Sequence, residues 1–382
     1  MEALGHSHKK NTALILSGGG ARAAYQVGVL RAISDILPHT THNPFPIICG
    51  TSAGAINAVA LASRGQNFRD AVLGVEDVWA NFAANQVYRT DVLGVLVCVA
   101  RLFLSIVHHG VGIDKPASLL DSSPLRHLLS HVIKFENIQE SIDAGYLQAI
   151  SVSATGYSSG ETISFFQGAP SLHGWKRHRR LGIPSELNVD HLLASSAIPA
   201  IFPAVRINRE YFGDGAVRQT NPISPALHLG AERVLVIGVS GNLNSSTTRV
   251  KVEGFPSIAQ ILGHVLNAAF IDSFEADIEL LQRFNNMIDM IPTETIIESH
   301  KLKKVDVLVI SPSQALDQIA APRIRDLPRS IRTLLYGSGA TRRGGASLAS
   351  YLLFDREFCR ELIALGYHDA IVRKDDIRRF LG

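Results

Sequence analysis

Three short segments carry residue types and spacings that suit acyl-transfer chemistry. Gly50-Thr-Ser-Ala-Gly54 has the G-x-S-x-G spacing. Small residues on either side of Ser52 permit a tight turn that exposes its hydroxyl at the start of a helix. Helix N-termini offer free backbone N–H groups and favour negative charge. A tight strand-to-helix turn with no reactive serine has the same pattern. Gly18-Gly-Gly-Ala-Arg22 supplies consecutive backbone N–H groups without side chains, able to surround an anion. An oxyanion hole formed by Gly18, Gly19 and Gly20 is one use of such a loop. The third segment is Gly213-Asp-Gly215. Asp214 is a candidate base for a serine nucleophile, although an Asp between glycines is often only a turn. Gly50, Gly54 and Gly215 are expected to support these turns.

Two other chemistries compete for the same residues. Gly18-x-Gly20-x-x-Ala23 also fits a dinucleotide-binding fingerprint. That use requires an acidic residue about twenty positions on, and no Asp or Glu lies between Asp35 and Asp70. A Ser-acid-His hydrolase would draw its imidazole from His228, His264, His300 or His368. Ser52 comes early for that fold, and none of the four sits in a glycine-rich loop.

The elements that must position these segments follow from hydrophobic patterning. Thr12 to Ser17 is an apolar strand ending at the glycines. Ala21 to Leu37 is helical, with Val27, Leu30, Ile33 and Leu37 on one face. Phe45 to Cys49 is a second strand, and Ala53 to Ala62 a small-residue helix. The alternation signals an α/β unit with parallel strands. Leu147 to Ala154 and Thr162 to Phe166 form an antiparallel pair. Gly168 to Pro184 reads as a loop rich in basic residues, Val189 to Ile198 as a short helix, and Arg233 to Val239 and Val305 to Ile310 as buried strands. Ser257 to Phe284 is helical, and the chain after Pro312 is mainly helical and Arg-rich.

Together the pieces resemble the patatin-like phospholipases in their bacterial form. The resemblance rests on Gly18-Gly-Gly-Ala-Arg22, Gly50-Thr-Ser-Ala-Gly54, Ala194-Ser-Ser-Ala-Ile-Pro-Ala-Ile-Phe-Pro203, and Asp214-Gly-Ala216 followed by Asn221-Pro222. These four ordered motifs span residues 12 to 240. The resemblance implies a three-layer α/β/α fold with a mainly parallel sheet. It implies a dyad of Ser52 as nucleophile and Asp214 as base, with no catalytic His and no metal or cofactor. It assigns Gly18, Gly19 and Gly20 to the oxyanion hole and Arg22 to fixing that loop. Ala23 departs from the Gly common there. Ala194 to Pro203 is expected to hold the Asp214 strand near the serine turn. The expected domains are an acyl hydrolase over 12–312 and a helical extension over 313–382. The expected substrates are acyl esters of lipids, including phospholipids; a non-catalytic lipid-binding protein on the same fold is the alternative.

Composition narrows the rest. Of 382 residues, 46% are hydrophobic and 19% charged, which excludes a disordered chain. A net charge of +3 is too small for a dedicated nucleic-acid binder. Three separated cysteines indicate neither a disulfide framework nor a Cys-based metal site. The polar start lacks a signal-peptide pattern, so a cytoplasmic location is expected. Val92 to Val107 is apolar except near Gly94, Cys98, Arg101 and Ser105. It falls short of the ~18 residues of a membrane span and reads as buried core or as a lid touching lipid. Trp175-Lys-Arg-His-Arg-Arg180 reads as a solvated loop or as a contact for anionic headgroups, which leaves peripheral membrane contact open.

Overall fold

The computed structural model describes residues 11–38, 41–107, 116–240, 255, 257–291, 303–338 and 346–382. Ten strands form one sheet: β1 Thr12–Leu16, β2 Ile47–Thr51, β3 Ala149–Gly156, β4 Thr162–Gly168, β5 Trp175–Arg177, β6 Arg180–Pro184, β7 Val205–Ile207, β8 Glu210–Asp214, β9 Arg233–Ile237 and β10 Asp306–Ile310. Their order is β10-β9-β1-β2-β3-β4-β6-β5. The first five in that order are parallel neighbours. The β7–β8 hairpin joins β3 through β8.

Helices follow the same chain order: α1 Ala24–Ile36, α2 Ala53–Ala62, α3 Phe68–Ala80, α4 Val92–Val107, α5 Ser123–Val132, α6 Glu136–Asp143, α7 Val189–Ser195 and α8 Ser224–His228. Then come α9 Ile258–Asn267, α10 Ser273–Asp289, α11 Leu316–Ala320, α12 Arg329–Ser338, α13 Ala346–Leu352, α14 Arg356–Val372 and α15 Lys374–Leu381. A π-turn, Ala268–Asp272, links α9 to α10.

Alternation along the strands builds the three layers. Leu14, Leu16, Ile48, Ile150, Val152, Leu235 and Ile237 point into one core, while Ala13, Ile15, Ile47, Cys49, Val234 and Val236 point into a second. A period of two puts successive side chains on opposite faces. Strands covered on both faces are therefore apolar throughout, as β1 is. The helices after Pro312 share the first core, and α14 makes the broadest helix packing, against α1. At Gly28 and Gly366 the two backbones meet so closely that a Cβ on either would overlap the other helix.

Two expectations change. Gly168 to Pro184 is not simply a loop, because β5 and β6 form a hairpin that extends the sheet. Trp175 stacks on Phe166 and His228 and anchors it. Helix α6 breaks a stretch where the sequence pattern indicated no element. Helix α4 is neither wholly core nor wholly free: Val95 and Cys98 are buried, yet Leu93 is 76% exposed and Phe103 67%. No described helix is long and apolar enough to cross a membrane.

Candidate active site

Ser52 occupies the sharp turn between β2 and α2. Its backbone lies at φ 56, ψ −132, a conformation that side chains rarely adopt and that costs about 1–3 kcal/mol. The turn closes because Gly54 has no side chain. A Cβ there would overlap the carbonyl oxygen of Leu16 and lie 2.5 Å from that of Ser17. The strained N–H of Ser52 donates to Ser195 Oγ at 2.8 Å, and that hydroxyl donates to the Ser153 carbonyl at 2.6 Å. Ser195 thus ties the turn to β3 from α7. Adjacent serines before a Pro-bounded loop were the only sequence sign of this role.

Asp214 reaches Ser52 through strand order. Along one edge of β3, Thr51 pairs with Ser153 and Asp214 with Ala154. The opposite edge of β3 is taken by β4. So β8 takes over the edge where β2 leaves it, and Asp214 follows Thr51 by one position. Strand residues rise about 3.3 Å each, which sets the carboxylate beside Ser52. The Asp214 N–H donates to the Ala197 carbonyl at 2.9 Å, so the Ala194–Pro203 segment holds both the turn and the Asp strand.

The carboxyl group is fully buried. Burial pushes its pKa up to about 7; hydrogen bonding from the Ser52 hydroxyl and from the Ala216 N–H opposes that shift. Oδ1 accepts the Ala216 N–H at 2.9 Å. Oδ2 has no partner of good hydrogen-bond geometry among the described residues, so the Ser52 hydroxyl lies near the carboxyl without a well-formed bond.

The glycine loop leaves β1 above the same point. The backbone of Gly18 lies against Ser52, where an added Cβ would stand 3.0 Å from the Ser52 Cβ. Gly20 has φ +55, and a side chain there would overlap the Tyr351 carbonyl of α13. Among the described residues the N–H groups of Gly18, Gly19 and Gly20 donate to no protein acceptor. The loop lies at the C-terminal end of β1, which has β2 on one side and β9 on the other. Open α/β sheets bind ligands at such crevices.

Arg22 is 4% exposed, and its hydrogen-bond partners among the described residues are uncharged. Its Nε donates to Ser350 Oγ at 2.8 Å, and Nη1 to Tyr351 Oη and Asn267 Oδ1 at 3.3 and 3.4 Å. Nη2 reaches Ser347. The guanidinium also lies 4.1 Å over the Tyr351 ring. The loop is therefore braced from α9 and α13, whose residues gave no signal in the sequence. Gly50 and Gly215 are close-approach positions, against Ala55 and the Ser153 carbonyl respectively.

The Ser-acid-His alternative gains no imidazole among the described residues. His228 stacks on Trp175 with ring centroids 4.9 Å apart and hydrogen-bonds Ser224. Among the described residues no histidine hydrogen-bonds Ser52 or Asp214; His300 lies outside them. No cluster of three His, Cys, Asp or Glu suited to a metal occurs among the described residues.

A narrow apolar cavity of about 60 Å³ lies beside Ser52. Gly20, Ser196, Phe202 and Tyr351 line it together with Ser52, as do residues of helices α2, α3 and α5.

A family model described as patatin-like phospholipase matches residues 14–227. A cGAMP-activated phospholipase of Pseudomonas aeruginosa is 28% identical over 215 residues, covering 56% of this chain and 55% of that protein. A protein of the same name from Escherichia coli is 28% identical over 218 residues, covering 55% and 52%. The chain thus spans about half the length of these relatives. Among solved structures, VipD from Legionella pneumophila aligns over 96% of this chain and 67% of its own, at 13% identity and a TM-score of 0.37.

Proposed function

The chain belongs to the patatin-like phospholipase family, and we propose that it is a serine acyl hydrolase that cleaves fatty-acyl esters of lipids through a Ser52–Asp214 dyad. The observation that carries this reading is the succession of Thr51 and Asp214 along one edge of β3. It brings a strained serine beside a buried carboxylate whose second oxygen lacks a well-formed partner.

In the reaction, Asp214 Oδ2 takes the proton of Ser52 Oγ as that oxygen attacks the ester carbonyl. The carbonyl electrons move to its oxygen, which the N–H groups of Gly18, Gly19 and Gly20 receive. Each such donor is worth about 3–4 kcal/mol in comparable sites. Collapse of the tetrahedral adduct breaks the ester C–O bond, and the leaving alkoxide takes the proton from Asp214. Water then repeats the sequence on the acyl-enzyme, with Asp214 again as base, and releases the fatty acid. A base works best when its pKa lies near the working pH. The shift from the usual carboxylate value of 3.8 up to about 7 suits Asp214 to that task.

Peripheral membrane contact belongs to the same proposal. Leu93, Leu96, Val97, Phe103 and Leu104 of α4 are all exposed, and contiguous exposed apolar residues favour an apolar partner. On the edge hairpin, the charges of Lys176, Arg177 and Arg179 serve at least to discourage edge-to-edge pairing.

The test is labelling with a fluorophosphonate probe, together with product analysis by mass spectrometry of mixed lipids incubated with wild type, Ser52→Ala and Asp214→Asn. Labelling confined to Ser52 and fatty acid release lost in both variants are expected. Normal release by either folded variant would overturn the dyad. Lipid binding without labelling would favour the non-catalytic alternative.

A further inference from the structure

The cavity beside Ser52 extends along one helix. Along α2 and the turn beyond it, Ala53, Ile56, Asn57, Ala60 and Arg64 line it. The intervals of three and four place them on one helical stripe, so the cavity runs parallel to α2 and away from the serine. Asn57 is its only polar wall residue along that helix, and its polar atoms are occupied. Its Oδ1 accepts the Trp79 indole N–H at 2.7 Å, and its Nδ2 donates to Gln26 at 3.0 Å. The tube is therefore chemically apolar along its length.

At the end away from Ser52, the Arg64 side chain lies over α3. The Arg64 guanidinium lies directly on Gly74 of α3, at a spot where any Cβ would overlap it. Arg64, Gly74, Val78 and Val132 line both this cavity and a separate outer cleft that also includes Asp77, His131 and Lys134. These four are the partition between the tube and solvent. Arg64 is exposed on its outer side and makes no ion pair or side-chain hydrogen bond among the described residues. It stays in place by packing alone.

We propose that this tube holds one straight acyl chain, and that Arg64 resting on Gly74 is the stop that sets its length. The proposal rests on the hydrolase reading for the position of the ester, but the cavity itself does not. From Ser52 the ten residues of α2 rise about 15 Å, and the turn to Arg64 adds roughly 3 Å. A methylene chain advances about 1.25 Å per carbon, from its ~1.5 Å bonds at tetrahedral angles. The stop therefore falls at about 14 carbons. Ala60 stands about 12 Å along, opposite roughly the tenth carbon.

The experiment measures binding and turnover separately. Saturated fatty acids of 8 to 18 carbons are titrated against Trp79 fluorescence, in a Trp175→Phe, Ser52→Ala background, with circular dichroism as the folding control. Affinity should rise about three- to fourfold per methylene and level off near 14 carbons. Ala60→Phe should bring the break down to about 10 carbons. Arg64→Ala, at an exposed position, should move it to 16 or 18. p-Nitrophenyl esters of the same lengths are hydrolysed in parallel by proteins that retain Ser52. If esters turn over but the Arg64→Ala chain-length profile matches wild type, the stop is refuted and the hydrolase stands. If the acids bind with the expected break while no ester turns over, the hydrolase fails and the acyl site stands.

Discussion

Replacing the Asp214 carboxyl with an amide should change both the activity and the pH dependence of stability, and the two effects have one cause. The carboxyl is pushed up to about 7 by burial, against the Ser52 hydroxyl and the Ala216 N–H. In the unfolded chain it titrates at its ordinary value of 3.8. Between those two values the folded protein holds a proton that the unfolded chain has released. Stability from this group is thus complete below pH 3.8 and is lost as pH rises through about 7. About three pH units at 1.36 kcal/mol each set an upper bound of ~4 kcal/mol; reorganisation around the charge should bring the observed loss to ~2 kcal/mol. Asp214→Asn carries no such titration. Urea unfolding at pH 4, 6 and 8 should therefore show the amide variant gaining ~2–4 kcal/mol on wild type between the extremes. For wild type, kcat/KM on a soluble ester should fall up to tenfold per pH unit below about 7 and level off above it, because the base must be ionised. A stability difference constant with pH to within ~0.5 kcal/mol would refute the buried-carboxylate argument. So would a kinetic limb near 4.

Other perturbations test the supports. Ser52→Gly removes the nucleophile and relieves the φ 56 backbone; urea unfolding should show a gain of about 1 kcal/mol as turnover vanishes. Arg22→Lys keeps the charge but loses the fork onto Ser350, Tyr351 and Asn267. A fall in kcat of about tenfold with KM little changed, and a stability loss of ~1–3 kcal/mol, is expected from thermal melts and steady-state kinetics. Ser195→Ala strands the buried Ser52 N–H and should cost ~1–3 kcal/mol in the same melts. Substituting Leu93, Leu96 and Phe103 together by Ser should weaken co-sedimentation with phospholipid vesicles at least tenfold, with the circular dichroism spectrum retained.

Local pattern determined much of this protein. The apolar run before the glycines reads directly as β1, and the small-residue segment from Ala53 to Ala62 as α2, because burial on both sheet faces demands unbroken hydrophobicity and a tight turn demands small side chains. The four motifs sufficed to identify the family. The β5–β6 hairpin escaped notice because its basic, glycine-containing strands lack alternation; Trp175 stacking on Phe166 and His228 forms it, and such contacts have no periodicity. Asn267, Ser347 and Tyr351 have no sequence signal, since each acts on Arg22 from at least 245 positions away.

Residue types and their spacing named Ser52, Asp214 and the triglycine, since chemistry of that kind needs particular atoms in short, turn-compatible segments. Only the tertiary structure decided that β8 continues the edge β2 vacates, that the carboxyl is sealed from water, and that one apolar cavity is lined by both Ser52 and Arg64. Those facts depend on strand order and on which surfaces exclude solvent, and neither is encoded in any window of neighbouring residues.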